Sequence, residues 1–327
     1  MDRYCQEFGE DLSKMKISFL MAAHNEEKII KKPLENFKKI HLMDKNAEFL
    51  IGLDGCTDRT LEIIKKYPFV KYLNLKGRNG KPEIINKLVK KSKGEIIIIH
   101  DADWIFNVES EKKLEELKNE FNDKKLGGIA ESYPIEYSPN NLDKIGSLGH
   151  IGTLWGNYLW MDFQKKKYTY RKNKKLYAKF SKNNFPFLVN IFRRKFYNEN
   201  ITLGDDFERS LDILSKEYNI LIKEDETFPR MIAAYEITRF KDIAKQKERT
   251  AIARDQVFKK YGININLINF YFPLFLFSVL NLKKIKTIRG RFAFFIWLTT
   301  FCIGTMKNKL TLKKKSTKEG WLIRAKR

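Results

Sequence analysis

Cysteine is scarce in this chain of 327 residues. Cys5, Cys56 and Cys302 are odd in number and far apart. They offer neither a disulfide framework nor a zinc spacing, which suits a reducing compartment. The four histidines form no HExxH pair and no other spaced ligand set. The first residues, MDRYCQEFGEDLSKMK, lack the apolar core of a secretory signal. No helix-turn-helix, zinc-finger or RNA-recognition pattern is present, which leaves no specific nucleic-acid reader. No apolar run exceeds the roughly 20 residues that comfortably cross a bilayer.

Basic charge is abundant. Lys and Arg number 64 against 40 acids, for a net charge of +24. Such a surplus favours an anionic partner: nucleic acid, an acidic membrane surface or a phosphorylated substrate. The alternative is a solvated basic surface with no partner. Hydrophobic residues at 43% and charged residues at 32% describe a globular chain. The length allows one large domain or two fused halves.

The first 130 residues alternate strand and helix patterns. Apolar β-rich runs fall at 16–23, 47–54, 69–75, 95–101 and from 126. Between them lie helical patterns at 25–40, 57–67, 81–92 and 110–121. Thr57 or Asp58 can cap the second helix and Pro82 suits the first turn of the third. Leu114, Leu117 and Phe121 share one face of the fourth. This alternation predicts an α/β fold with a mostly parallel, Rossmann-like sheet flanked by helices. In such sheets ligands sit beyond the carboxyl ends of the strands. Three polar clusters lie at such ends: AAHNE, LDGCTD and HDAD.

The middle of the chain is less regular. QKKKYTYRKNKK (164–175) interleaves basic residues with two tyrosines and reads as an exposed loop or helix end. The division expected is 1–130, 131–260 and a tail at 261–327. That tail holds two apolar, aromatic runs, 265–282 and 292–306, with Pro273 interrupting the first. Lys283, Lys284, Lys286, Arg289 and Arg291 lie between them, and KKKSTKEGWLIRAKR follows. Such flanks fit helices associating with an anionic lipid surface, peripheral or shallowly inserted. They would keep the chain on the cytoplasmic face of the cell membrane. The alternative is a buried helical pair.

The run GEIIIIHDADW (94–104) drives four isoleucines into Asp101 and Asp103. Residues two apart in an extended chain share a side. Two carboxylates there need a cation or a shared proton. Mg²⁺ or Mn²⁺ would supply the cation, bridge to phosphate oxygens and offset leaving-group charge. The alternative is a helix-capping Asp and a turn. Asp54 ends another strand, before Gly55. It can accept a hydrogen bond from a nucleobase, or simply mark a strand–turn–helix junction. Ala23, His24 and Glu26 end the first strand. Their backbone can meet a base and Glu26 a ribose, or the segment is an acidic first helical turn.

Together these stretches resemble the inverting family 2 glycosyltransferases of the GT-A fold. Ala22-Ala23-His24-Asn25-Glu26 stands for the family's P-A-Y-N-E, and Asp54-Gly55-Cys56-Thr57-Asp58-Arg59-Thr60 for D-G-S-T-D-x-T. Gly80-Lys81-Pro82-Glu83-Ile84-Ile85-Asn86 matches G-K-x-x-A-x-N. Gly94 to Asp103 reproduces the strand ending in D-A-D. Order and spacing agree for all four. Further on, LGDDFERSLDIL (203–214) looks like the acidic pair before a helix, and Gln246-Lys247-Glu248-Arg249-Thr250 like Q-x-x-R-W with Thr for Trp. Ala22, His24, Leu53 and Asp205 stand where Pro, Tyr, Asp and Glu are commoner.

The resemblance implies a nucleotide-diphosphate sugar donor and a glycan or lipid-linked acceptor, in cell-envelope polysaccharide or glycolipid synthesis. It implies Asp101 and Asp103 on a divalent metal. Ala23, His24, Glu26, Asp54, Lys81, Asp101 and Ala102 would hold the nucleotide sugar. Asp205, Gln246 and Arg249 would sit on the acceptor or diphosphate side. Asp206 would be the catalytic base that takes the acceptor's proton. One rival is transfer to a polyprenyl phosphate, which needs no base and leaves Asp206 idle. Another is a non-catalytic basic protein that binds membranes or nucleic acid.

Overall fold

A computed structural model describes residues 15–130, 146–180, 187–199, 202–225, 227–233, 239–263 and 267–310. The basic stretch at 313–327, Cys5 and the end of the expected strand at 131–135 lie outside the described residues.

The apolar runs form the strands that the sequence implies. β1 (Ile17–Ala23), β2 (Glu48–Asp54), β3 (Val70–Leu75) and β4 (Ile96–Asp101) pair in parallel, in the order β3-β2-β1-β4. Three helices make the crossovers: α1 (Lys31–Met43), the short α2 (Thr60–Ile64) and α3 (Lys81–Lys91). β4 explains its isoleucines. Ile96 and Ile98 enter the core on one face of the sheet, and Ile97 and Ile99 the core on the other. A strand buried on both faces reads as a continuous apolar run, and each buried isoleucine contributes about 1.5–3 kcal/mol.

β4 leads through a turn to β5 (Trp104–Asn107), then α4 (Glu111–Glu120) and β6 (Leu126–Ala130). Ser110 caps α4 by accepting from the Lys113 N–H, and Leu114, Leu117 and Phe121 are buried as expected. The chain continues through α5 (Leu148–Tyr168), β7 (Thr169–Lys172), β8 (Lys175–Ala178) and β9 (Val189–Arg193). It then forms α6 (Asp205–Ser215), β10 (Asn219–Ile222) and β11 (Arg230–Ala233). The main sheet reads β3-β2-β1-β4-β9-β6-β10-β8-β7, and β5 pairs with β11 in a second, two-stranded sheet. β9 and β8 run against the other strands of the main sheet. The sheet is therefore mostly parallel, and both halves of the chain share it, because β9 lies between β4 and β6.

The last helices are α7 (Phe240–Tyr261), α8 (Leu267–Leu280) and α9 (Ile288–Leu310). α9 packs on α5 and α7. Two glycines of α5 allow it. A Cβ on Gly152 would stand 2.4 Å from the Ala293 carbonyl oxygen, and one on Gly156 would stand 2.5 Å from the Trp297 ring. Ala293, Phe294 and Trp297 are buried in that contact with Ile151, Leu154 and Trp155. Among the described residues no helix is long and apolar enough to cross a membrane. Part of the apolar character of α9 thus serves this packing.

One expected helix begins late. The pattern at 25–40 starts as helix only at Lys31. Asn25 adopts a left-handed φ of 52°. The backbone N–H groups of Glu26 and Glu27 donate to Thr60 Oγ1 (2.8 Å) and Asp58 Oδ2 (3.0 Å). These cross-links to the loop after β2 hold the segment out of the helix.

Candidate active site

The register of the parallel strands gathers the polar clusters. Ala22 lies opposite both Gly52 and Asp101, and Ala23 opposite Leu53. AAHNE, LDGCTD and HDAD therefore leave one edge of the sheet side by side.

At this edge the loops are knitted to each other. His24 Nδ1 donates to the Asp54 carbonyl oxygen (2.6 Å), and the Thr57 N–H donates to Asn25 Oδ1 (2.8 Å). Gly55 has a φ of 63°, and a Cβ there would fall 2.5 Å from the Gly77 carbonyl oxygen, so the turn needs glycine. The Asp54 carboxylate is buried. It accepts from the N–H groups of Asn79 (2.5 Å) and Gly80 (3.0 Å), with Arg78 Nε at 3.6 Å. Asp54 thereby fixes the loop that enters α3 and sets the position of Lys81.

Lys81 Nζ lies 2.7 Å from Asp101 Oδ1 and 3.9 Å from Asp205 Oδ1. Burial works against its charge, but Asp101 and Asp205 outweigh that and hold its pKa above the ordinary lysine value. This one ammonium joins the strand end of the first half to the acidic pair of the second.

The acidic pair opens α6, and its two members differ. Asp205 accepts from Arg209 Nη1 (2.8 Å). Burial would raise its pKa, but Lys81 and Arg209 bring it below the usual value. Asp206 accepts from the Phe207 N–H (2.9 Å), and burial together with the charge of Asp205 pushes its carboxyl up to about 6. Two adjacent carboxyls with pKa values driven apart are a recurring acid–base arrangement. Arg209 organises them. Fully buried, it also donates from Nε to the Val189 carbonyl oxygen (2.7 Å) and from Nη2 to Asn190 Oδ1 (2.5 Å), and it stacks on Phe192.

These groups face a cavity of about 300 Å³. Lys81, Asp101 and Asp206 line it, as do Gln246, Lys247, Arg249 and Arg254 from α7. Trp104, Trp160, Trp297 and Phe301 form its aromatic walls. Of the residues singled out in the sequence, Lys81, Asp101, Asp206, Gln246 and Arg249 meet here, and Asp205 adjoins through Lys81. Ala23, His24, Glu26 and Asp54 belong to the knitted edge. β4 ends at Asp101, so the shared side of an extended pair does not reach Asp103. Asp103 and Ala102 are buried in the turn to β5. Arg209, Lys247, Arg254, Trp160 and Trp297 carried no motif. Only Gly152-x-x-x-Gly156, a spacing that admits a close helix neighbour, hinted at the wall that α9 supplies.

Among the described residues no group of three or more His, Cys, Asp or Glu is arranged to hold a metal ion. Two carboxylates with phosphate oxygens and water suffice for Mg²⁺ or a similar hard cation. Asp101 fits that role, with its side chain 42% exposed beside Lys81.

Known proteins are similar to this chain in fold and in sequence. A solved mannosyltransferase, PcManGT from Pyrobaculum calidifontis in complex with GDP-Man and Mn²⁺, is similar in fold with a TM-score of 0.56. The likeness covers 91% of this chain and 88% of that one at 13% identity. Probable glycosyltransferase YdaM of Bacillus subtilis is 30% identical over 110 residues, which is 31% of this chain and 26% of the relative. A poly-β-1,6-N-acetyl-D-glucosamine synthase of Staphylococcus epidermidis is 28% identical over 142 residues, 42% of this chain and 33% of the relative. The matches thus span a third or less of these two relatives. Residues 18–201, more than half of the chain, match the family model described as glycosyl transferase family 2, and the chain belongs to that family.

Proposed function

We propose that this chain is an inverting glycosyltransferase that moves a sugar from a nucleotide-diphosphate donor to a hydroxyl of a glycan or lipid-linked acceptor. The observation that carries this reading is Asp206, a half-buried carboxyl raised to about 6 in the same cavity as the Lys81–Asp101 pair. The nucleotide would lie over the ends of β1 and β2, against Ala23, His24, Glu26 and Asp54. Lys81 and Asp101 would face the diphosphate, with Ala102 behind. A divalent ion, Mg²⁺ or Mn²⁺, would be held by Asp101 together with donor phosphate oxygens and water, and would offset leaving-group charge; Asp103, expected from the sequence as the second ligand, is buried in the turn that follows. Gln246 and Arg249 would orient the reacting ends from α7.

Asp206 takes the acceptor proton as the hydroxyl oxygen attacks the anomeric carbon. A base with a pKa near 6 is ionised at neutral pH and still accepts a proton readily. The aromatic walls exclude water from the reacting centre. Attack opposite the leaving diphosphate gives a β-linkage from an α-donor. The β-linkage in the name of the staphylococcal relative supports this stereochemistry, and that name favours a setting in cell-envelope polysaccharide synthesis. A polyprenyl phosphate acceptor would leave Asp206 without a task.

The reading extends to a membrane surface on the cytoplasmic side. α9 turns Ile288, Phe292, Phe295 and Ile303 outward, and α8 exposes Phe272, Phe275, Leu276 and Leu280. Lys283, Lys286, Arg289 and Arg291 are exposed between them. An apolar face with a cationic border suits peripheral contact with anionic lipid. Proton NMR of the transfer product tests the chemistry: a β-anomer is expected, and an α-anomer would exclude the inverting step. Co-sedimentation with phosphatidylglycerol vesicles tests the surface, where equal recovery with phosphatidylcholine vesicles would remove the lipid role.

A further inference from the structure

Lys81 is the first residue of α3. The hydrogen bonds from Asn79 and Gly80 to the Asp54 carboxylate fix the backbone just before it. From that fixed root the side chain runs inward, 13% exposed. Its ammonium stands 2.7 Å from Asp101 Oδ1 and 3.9 Å from Asp205 Oδ1. Asp205 has a second cation, since Arg209 Nη1 lies 2.8 Å from its other oxygen. The ammonium therefore sits closest to Asp101, the carboxylate on which the donor's metal ion would rest.

Asp101 would hold that ion with little help from the chain. Of the D-A-D carboxylates, Asp101 lines the cavity and Asp103 is buried in the next turn. A small hard cation on one carboxylate takes its remaining ligands from substrate phosphates and water. An ion about 2.1 Å from Asp101 Oδ1 would also stand within roughly 5 Å of Lys81 Nζ, which is 2.7 Å from the same oxygen. Like charges repel strongly at that range where little water lies between them. A diphosphate reverses the balance. It brings negative charge, and it has oxygens enough for an ammonium and a metal ion together. If Lys81 leans toward the diphosphate, Asp205 still keeps Arg209.

We propose that Lys81 makes the metal seat conditional on the donor. Its ammonium holds Asp101 against a lone divalent ion, and the ion enters together with a diphosphate whose oxygens both cations share. This rests on the glycosyltransferase reading above. By reciprocity the ion tightens the nucleotide by the same factor as the nucleotide tightens the ion. The chain thus loads ion and donor as a pair. In the transfer itself Lys81 is a positioning residue for the ion as well as a contact for the diphosphate.

The test is electron paramagnetic resonance of Mn²⁺, whose signal in water is lost on binding. The full chain is titrated with Mn²⁺ alone and with Mn²⁺ in the presence of UDP or GDP. Protein-free controls correct for ion held by the nucleotide in solution, and calorimetry measures nucleotide binding separately. Wild type should bind Mn²⁺ at least about tenfold more tightly with a bound nucleotide than without. Lys81→Met should bind Mn²⁺ alone at least about tenfold more tightly than wild type, and the gain from nucleotide should shrink to match. Lys81→Arg keeps a cation there and should keep the wild-type pattern. Asp101→Asn should lose the ion in both settings. Lys81→Met leaves Asp205 its guanidinium and Asp101 its exposure, so it should fold, and its melting temperature checks this. Equal Mn²⁺ affinity of wild type with and without a bound nucleotide overturns the proposal, whether or not a variant folds. So does Lys81→Met that binds Mn²⁺ alone no better than wild type, or Asp101→Asn that retains the ion. Tighter Mn²⁺ binding by Lys81→Met in a protein that binds neither nucleotide would keep the hold of Lys81 on Asp101 and remove the glycosyltransferase reading.

Discussion

Replacing Asp206 by asparagine should make the protein more stable and inactive at once. The folded carboxyl is raised from 3.8 to about 6. A pKa difference of one unit corresponds to about 1.4 kcal/mol, so ionising Asp206 at about pH 7.5 costs the fold about 3 kcal/mol. The sign follows from linkage. Between the two values the folded state binds the proton more tightly, so the penalty is absent below the unfolded pKa. It grows as pH rises and is complete above the folded pKa. The substituted carboxamide would have the carboxyl's shape without the charge. Asp206→Asn should therefore gain about 3 kcal/mol near pH 7.5, roughly 5 °C in melting temperature for a chain of this length. The gain should fall to about 1 kcal/mol near pH 4.5. Urea unfolding at the two pH values reads the difference. A variant that is destabilised near pH 7.5, or equally stabilised at both, would refute the account of a charge held at a cost for chemistry.

Three further outcomes are expected. Arg209→Met leaves Asp205 buried without its guanidinium, a loss of about 3–5 kcal/mol that urea unfolding would detect as a lower midpoint. Gly156→Leu drives a side chain into the Trp297 ring. It should cost about 1–3 kcal/mol and shift the tryptophan emission, and unchanged emission would mean that α9 does not pack there. The pH profile of kcat/KM should rise through about 6 and level off above it. Asp206 must be ionised to act as base, and Asp205, Arg209 and Lys81 are the charges that set its pKa. A profile falling over that range would make Asp206 an acid.

The first half of the fold was legible because its signal is local. Buried parallel strands must be apolar along their whole length, and Ile96 to Ile99 say so directly. The placement of β9 was not legible. Residues 187–197 announce a strand, but nothing in them specifies an antiparallel position between β4 and β6. The late start of α1 depends on hydrogen bonds from Asp58 and Thr60, more than 30 residues away. The acidic pair at 205–206 stood out, but nothing local marked Arg209, which is fully buried and bonded to Val189 and Asn190 of β9. Lys247 and Trp297 lie 50 residues apart and meet only because α9 docks on α5 and α7. The apolar runs of the tail suggested contact with lipid. One face of α9 closes the cavity, and Ile288, Phe292, Phe295 and Ile303 face outward.

The central claim is that Asp206 deprotonates an acceptor for sugar transfer from a nucleotide sugar bound at the ends of β1, β2 and β4. Its most direct test follows a labelled sugar from a panel of nucleotide sugars, with wild type and Asp206→Asn side by side and donor affinity measured on both. The account predicts transfer by the wild type, donor binding within about threefold in the variant, and a loss of transfer of at least about a hundredfold. Wild-type rates from Asp206→Asn, or folded wild-type protein that binds no nucleotide sugar, would contradict it.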